Sequence, residues 1–253
     1  MRLACTTMGE GPPVVFLHGL FGQGRNFAAI ARPLAARARV LLPDLRNHGS
    51  SSHAPGMAYP DMAADVAETM EAEGVAEAAV IGHSMGGKVA MALALAQPAR
   101  VSRLLISDIA PRPYAGTLAR YAEAMRALPL APGLTRAAAD AALAPAVPDP
   151  AVRAFLLHSL RFDTEPPSWR VGLEQIGAGM ADILGFPDFA TRYEGPALFV
   201  SGERSDYITP ADRPLIRALF PRARFATVKG AGHWVHADQP EAFRAVVEAF
   251  LAA

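Results

Sequence analysis

Two glycine-rich motifs hold residue types that could carry out nucleophilic catalysis. The first is GHSMGG at residues 82–87, which lies between the apolar run 78–81 and a helix-like segment at residues 86–96. This is the G-x-S-x-G pattern in the strand–turn–helix context that it requires. A serine at such a turn takes a positive φ, and glycines two positions away on each side let the strand and helix approach closely. Ser84 is therefore the candidate nucleophile.

The second motif, GAGHW at residues 230–234, supplies a candidate general base. It follows the last predicted strand and precedes the last predicted helix, so His233 would reach the edge of a sheet. A nucleophilic serine needs an imidazole to take its proton. A histidine here could instead merely cap the final helix. His236 completes an H-x-x-H pair, but no third ligand accompanies it, so we expect no metal site.

Two aspartates compete for the acid that would orient His233. Asp108 follows the apolar run 104–106, and Asp206 lies just past the apolar run 197–200. Both lie between Ser84 and His233 in the sequence and both follow predicted strands, so chain order does not choose between them. The other aspartate would be an ordinary loop or helix-capping carboxylate.

Acyl transfer through a serine also needs two backbone N–H donors for the developing oxyanion. We expect Met85, which follows the nucleophile, to supply one of them. Leu20, in the loop HGLFG at residues 18–22, is expected to supply the other. His18 of the same loop is expected to bond neighbouring loops below the site rather than to act as a second base.

A competing interpretation uses the same residues. Residues 82–88 also spell G-x-x-x-x-G-K, and Asp108 could pass for the acidic strand end that holds magnesium in nucleotide-binding loops. The residue after Lys88 is Val89, which has no hydroxyl for the metal. The nucleotide-binding interpretation is therefore disfavoured.

The elements that would position these residues follow an alternating pattern. Short apolar runs alternate with longer amphipathic segments, which is typical of strands buried on both faces between crossover helices. This predicts an α/β fold with a doubly wound, mostly parallel sheet. The predicted strands are residues 14–17, 40–42, 78–81, 104–106, 197–200 and 225–228, and the predicted helices are residues 27–38, 60–73, 86–96, 211–220 and 241–251.

The alternation fails between residues 111 and 194, a segment that we call the insert. It holds ten of the 22 prolines, helical fragments and no convincing buried strand. We predict a core of residues 1–110 and 195–253, with the insert placed over the sheet as a helical lid. The predicted substrate-binding residues are Phe21, Phe155 and Trp169, and further apolar candidates for the same acyl pocket are Leu118, Met125 and Leu156.

Composition excludes several other classes of protein. The chain carries 24 basic and 24 acidic side chains, and a net charge of zero argues against a nucleic-acid partner. A single cysteine in 253 residues excludes a disulfide-stapled scaffold. No apolar run approaches the roughly 20 residues that span a bilayer. We expect a soluble, cytoplasmic protein without stable membrane insertion, monomeric or a small homo-oligomer.

Together these motifs resemble the α/β-hydrolase superfamily over nearly the whole chain. Within it, the sequence is similar to the YbfF-type esterases at GLFG (19–22), DLRNHGS (44–50), GHSMGGK (82–88), DIAP (108–111) and GAGHWVHA (230–237). The resemblance implies hydrolysis of short and medium acyl esters and acyl-CoA thioesters. In that branch the acid follows the strand before the lid, which corresponds to Asp108, whereas the commoner position in the superfamily corresponds to Asp206.

We therefore predict a serine hydrolase that cleaves small carboxylic esters or acyl thioesters through Ser84, His233 and Asp108. Neither a metal nor an organic cofactor is expected. The alternatives on the same fold are C–C bond hydrolysis, perhydrolase- or haloperoxidase-like chemistry, and acyl transfer to an acceptor other than water, because a fold does not fix a reaction. A non-catalytic ligand-binding protein is the alternative from a different class.

Overall fold

A seven-stranded, mostly parallel β-sheet forms the centre of the protein, in a computed structural model that describes residues 1–253. Its strands are β1 (Cys5–Met8), β2 (Pro13–Leu17), β3 (Arg39–Pro43), β4 (Ala78–His83), β5 (Val101–Ser107), β8 (Ala197–Gly202) and β9 (Ala223–Val228), and a separate ribbon pairs β6 (Leu160–Arg161) with β7 (Ser168–Trp169). The order across the sheet is β1-β3-β2-β4-β5-β8-β9. Strand β1 is antiparallel to β3, and every other neighbouring pair is parallel. The predicted fold class is confirmed.

Eleven α-helices connect and cover these strands. They are α1 (Ala28–Leu34), α2 (Tyr59–Ala72), α3 (Met85–Ala96), α4 (Leu118–Ala127), α5 (Arg136–Leu143), α6 (Pro150–Leu157), α7 (Leu173–Ala178), α8 (Met180–Leu184), α9 (Arg213–Leu219), α10 (Val235–Asp238) and α11 (Pro240–Ala252). None is both long and apolar enough to cross a membrane. Helix α1 ends earlier than its sequence pattern predicts, because a turn in which Arg37 N–H donates to Leu34 O leads the chain into β3.

The sheet is buried on both faces, and alternate residues of each strand serve opposite faces. On β2, Val14 and Phe16 pack beneath α1 and α11. Val15 and Leu17 pack on the other face, in the apolar cluster that includes α2 and α3. This double burial explains why the strands are continuous apolar runs rather than alternating ones. Edge strand β1 is half-exposed and polar, which is why its pattern did not predict a strand.

Strand register brings several loops to one edge of the sheet. His83 of β4 pairs with Ser107 of β5, so Ser84 and Asp108 leave neighbouring parallel strands at the same level. Ser107 pairs in turn with Val200 of β8, and β9 lies beside β8. The loops that follow β2, β4, β5, β8 and β9 therefore meet at the carboxyl edge, where open α/β sheets bind their ligands.

The insert lies between β5 and β8 and holds helices α4 to α8 together with the short ribbon β6–β7. The ribbon has two residues per strand, too few for a sequence pattern to reveal. One small apolar cluster, around Leu143 and Leu157, is confined to the insert. Other insert residues, such as Met125 and Ile176, belong to the same cluster as the core of the sheet. The insert therefore packs directly on the strand-and-helix core, while its action as a lid stays a prediction.

Candidate active site

Ser84 stands at a sharp turn between β4 and α3. Its φ is 52° and its ψ is −121°, a left-handed conformation that only few non-glycine residues adopt. Two glycines make the turn possible. A Cβ atom at Gly82 would lie 2.3 Å from Gly86 O, and one at Gly86 would lie 2.3 Å from Leu17 O. The close approach of strand, helix and β2 thus requires glycine at both positions, as the motif predicts.

The imidazole of His233 lies between Ser84 and Asp108. Its Nε2 is 3.0 Å from Ser84 Oγ, and its Nδ1 is 2.8 Å from Asp108 Oδ2. Because the carboxylate can only accept, Nδ1 carries the proton and Nε2 is free to accept one from the serine hydroxyl. This arrangement has the geometry that general-base activation of a serine requires.

Asp108 is fully buried and its carboxylate is fully engaged. Besides His233, Oδ2 accepts a hydrogen bond from Ser205 Oγ, and Oδ1 accepts one of 3.1 Å from Gly202 N–H. Its φ of 56° turns it out of β5 into the site, which the sequence did not indicate. Asp206, the alternative acid, is exposed and makes no hydrogen bond to His233. The structure thus places Asp108, and not Asp206, against the imidazole.

The two amides proposed for the oxyanion flank Ser84. Met85 is the first residue of α3, so its N–H has no acceptor within the helix. Leu20 N–H has no acceptor in the protein either, whereas the amide of the next residue, Phe21, donates to His48 Nε2 at 3.1 Å. That bond fixes the loop in a turn where Phe21 has a φ of 63°. Both amides are available to a ligand beside Ser84.

Buried histidines support these loops. His18 Nε2 accepts from Leu45 N–H at 2.9 Å and its Nδ1 donates to Gly19 O, as expected for a structural residue. His83 Nε2 donates to His233 O at 2.8 Å and so holds the loop that carries the imidazole. Burial lowers the pKa of His18 to about 4 and the pKa of His83 far below its usual value. These rings are therefore neutral at neutral pH.

A cavity of about 240 Å³ opens beside Ser84 and His233. Phe21 and Phe155 line it, and their role in binding substrate stays a prediction. The prediction for Trp169 is wrong in position: its ring is not part of the cavity wall, and its Nε1 donates to Met125 O within the insert at 3.0 Å. The aromatic wall is instead completed by Trp234, whose ring centroid lies 5.4 Å from that of Phe155.

Sequence reasoning missed two residues of the loop after β8. Ser205 bonds the Asp108 carboxylate, and the ring of Tyr207 stacks on His233. The only available signal was their position next to the rival acid Asp206.

His236 lies between the rings of Phe27 and His83, and the chain contains no group of three or more side chains placed to hold a metal ion.

The fold and the site agree with the family of proteins that the sequence matches. The family model described as alpha/beta hydrolase fold matches residues 12–240, and the chain belongs to that family.

Several similar proteins are named as esterases or lipases. The chain is 41% identical over 251 residues to the sn-1-specific diacylglycerol lipase ABHD11 of Danio rerio, covering 96% of this chain and 79% of the relative. It is 36% identical over 242 residues to Esterase YbfF of Escherichia coli strain K12, covering 94% of this chain and 92% of the relative. A solved structure described as a marine microorganism esterase superposes with a TM-score of 0.93 at 36% identity, covering 98% of this chain and 99% of the other. The protein is an ester hydrolase.

Proposed function

We propose that this ester hydrolase cleaves carboxylic esters and acyl thioesters of short to medium chain length through a covalent acyl-enzyme on Ser84. The observation that carries the proposal is the unbroken hydrogen-bonded series from Ser84 Oγ through His233 to Asp108. Such a series makes a neutral serine nucleophilic, because the base takes its proton and the acid orients and stabilises the charged imidazole.

The first half of the reaction acylates the enzyme. As Ser84 Oγ bonds to the substrate carbonyl carbon, its proton passes to His233 Nε2 and the carbonyl oxygen becomes an oxyanion. The amides of Leu20 and Met85 donate to that oxyanion. When the tetrahedral intermediate collapses, the bond to the leaving oxygen or sulfur breaks and His233 Nε2 returns the proton to it.

The second half regenerates the enzyme. Water gives a proton to His233 Nε2 as its oxygen bonds to the acyl carbon, and the same two amides hold the second oxyanion. The bond between the acyl carbon and Ser84 Oγ then breaks, and the proton on His233 returns to the serine. The products are a carboxylic acid and an alcohol or thiol, and Asp108 stays ionised throughout.

The insert residues at the cavity support the proposal that the substrate is a small molecule, bound where it is shielded from water. Phe155 and Leu118 of the insert line the cavity together with the core residues Phe21 and Trp234. An apolar cavity with a few polar groups at one end is typical of sites for small ligands. We propose that the insert acts as the lid of the site and that its apolar side chains contact the organic part of the ester.

Labelling by a fluorophosphonate probe tests the nucleophile. We expect one covalent adduct, on Ser84 of the folded protein, and none in Ser84→Ala. A panel of p-nitrophenyl esters and acyl-CoA thioesters of graded chain length should then show burst kinetics, with turnover highest for the shorter acyl groups. Absence of label on Ser84 in the folded protein would overturn the proposal, and labelling without hydrolysis of any ester would point to other chemistry on the same residues.

A further inference from the structure

A second, smaller cavity also reaches Ser84, and His233 is not among the residues that line it. It encloses about 30 Å³ and shares Leu20, Ser84, Leu118 and Tyr207 with the larger cavity. A volume of about 10–15 Å³ suffices for one water molecule, so this space holds a small group and excludes a long chain. Its remaining lining is apolar or phenolic, with one exception, Lys88.

The two cavities have different chemical roles if Ser84 is acylated as proposed above. His233 must return a proton to the leaving atom, so the leaving group has to lie on the side that His233 lines. His233 lines the larger cavity and is absent from the wall of the smaller one. The acyl group therefore extends from Ser84 into the smaller cavity, towards Lys88.

Lys88 is a buried cation without a counter-ion. Its side chain is 2% exposed, and its Nζ donates only to two backbone carbonyls at the end of α8, Leu184 O at 3.1 Å and Gly185 O at 2.6 Å. An ammonium has three donors, so one remains for a ligand. No carboxylate pairs with it, and the one charged side chain that acts on its pKa is another cation, Arg112.

Burying an unpaired charge is costly, and an ammonium of this kind readily loses its proton. Burial, with a smaller contribution from Arg112, lowers the pKa of Lys88 to about 7. The faces of Tyr59 and Tyr114, with ring centroids 5.5 Å and 4.9 Å from Nζ, compensate part of this cost. A carboxylate in the cavity would supply the missing counter-ion and would form a charge-assisted hydrogen bond with the remaining donor.

We propose that the smaller cavity is an acyl subsite for short acyl groups that end in a carboxylate, and that Lys88 is the residue that selects them. The substrate class is therefore a mono-ester or monothioester of a short dicarboxylic acid. This inference rests on the proposed function, because it assigns the acyl side of a Ser84-linked intermediate.

The test compares two esters of the same acyl chain, one ending in a carboxylate and the other in an uncharged methyl ester. They are the mono-p-nitrophenyl ester of succinic acid and its neutral counterpart, methyl p-nitrophenyl succinate. We expect the wild-type protein to favour the charged ester by about tenfold or more in kcat/KM, the effect of one hydrogen bond to a charged group. In Lys88→Met this preference should disappear, so that the ratio of the two kcat/KM values, measured in the same preparation, falls to about one.

The chain offers a matched control, because it contains only one other lysine, the exposed Lys229. Lys229→Met should keep the wild-type preference. If the Met variant does not fold, Lys88→Gln takes its place, because it keeps N–H donors for the α8 carbonyls but removes the charge. Fluorophosphonate labelling of Ser84 counts the folded active sites in each preparation.

Three outcomes separate the possible failures. Equal or better cleavage of the neutral ester by the wild-type protein overturns the subsite, whatever the variants do. Retention of the preference in both Lys88 variants overturns the role of Lys88. If neither ester is cleaved and Ser84 is not labelled, the proposed function itself has failed.

Discussion

The ring of Tyr207 lies stacked on the imidazole of His233, with 3.9 Å between the ring centroids and 24° between the ring planes. The far side of Tyr207 stacks on Tyr114, with 5.2 Å between centroids. His233 is thus held by hydrogen bonds at its edge and by an aromatic column on one face. When His233 takes the proton of Ser84, it becomes a cation against that face, which attracts positive charge.

Replacing Tyr207 by Leu should lower kcat by about fivefold, since an aromatic face contributes roughly 1 kcal/mol to a stacked ring or cation. Tyr207→Phe keeps the ring and should retain most of the activity. Because Tyr207 also lines the cavities, the comparison is best made with a small acetyl ester, whose KM depends least on the pocket wall. Equal losses in the Leu and Phe variants would show that the hydroxyl, and not the ring, is what matters.

The choice of acid gives a second prediction. Asp108→Asn should lower kcat by about 10³–10⁴-fold, because an amide can no longer hold the imidazole in the tautomer that accepts from serine. Asp206→Asn should stay within about twofold of wild type, since its side chain is exposed and makes no hydrogen bond to His233. Steady-state kinetics on one activated ester measures both. Loss of most of kcat in the Asp206 variant alone would reverse the assignment.

Ser205 gives a third prediction, because its hydroxyl donates to the same Asp108 oxygen that His233 approaches. Ser205→Ala removes one of three donors to a buried carboxylate, and hydrogen bonds to charged groups are worth about 1.5–3 kcal/mol. We expect kcat to fall by about tenfold or more with KM nearly unchanged, since Ser205 lines neither cavity. Ser205→Thr keeps the hydroxyl and should recover much of the loss; a change confined to KM would contradict the assignment.

Residue type and local context were sufficient to predict Ser84 and His233. Each lies in a glycine-rich turn between a buried strand and a helix, so the local sequence specifies both the chemistry and its place at the sheet edge. The same reasoning predicted the six principal strands, because strands covered on both faces must be continuously apolar.

What the sequence did not reveal depends on packing between distant segments. The selection of Asp108 over Asp206 follows from the pairing of β5 with both β4 and β8 and from a left-handed turn at a non-glycine residue. Trp169 was misplaced because the sequence around an aromatic residue in the short ribbon β6–β7 does not show which way its side chain points. Its indole N–H finds an acceptor inside the insert, and Trp234, next to His233, takes the place by the cavity.

The buried histidines predict how stability depends on pH. Burial lowers the pKa of His18 and of His236 to about 4 and that of His48 to about 3. Between these values and about 6.5, the unfolded chain binds protons that the folded protein excludes, so the free energy of unfolding falls as the pH falls through this window, by about 1.4 kcal/mol per pH unit for each ring. Urea unfolding at intervals from pH 7 to pH 4 should show this slope.

His236 allows one contribution to this slope to be removed. Its Nδ1 has no hydrogen-bond partner, and its ring packs among the rings of Phe27, His83 and Phe243. His236→Phe should therefore fold and should flatten the slope by about one proton, so that its advantage over the wild-type protein grows as the pH falls from 6.5 to 4. The exposed His53, changed to Gln, is the matched control for the loss of one histidine. A His236→Phe protein that loses stability with pH as steeply as the wild type would mean that this ring is protonated in the folded state, and that burial does not keep it neutral.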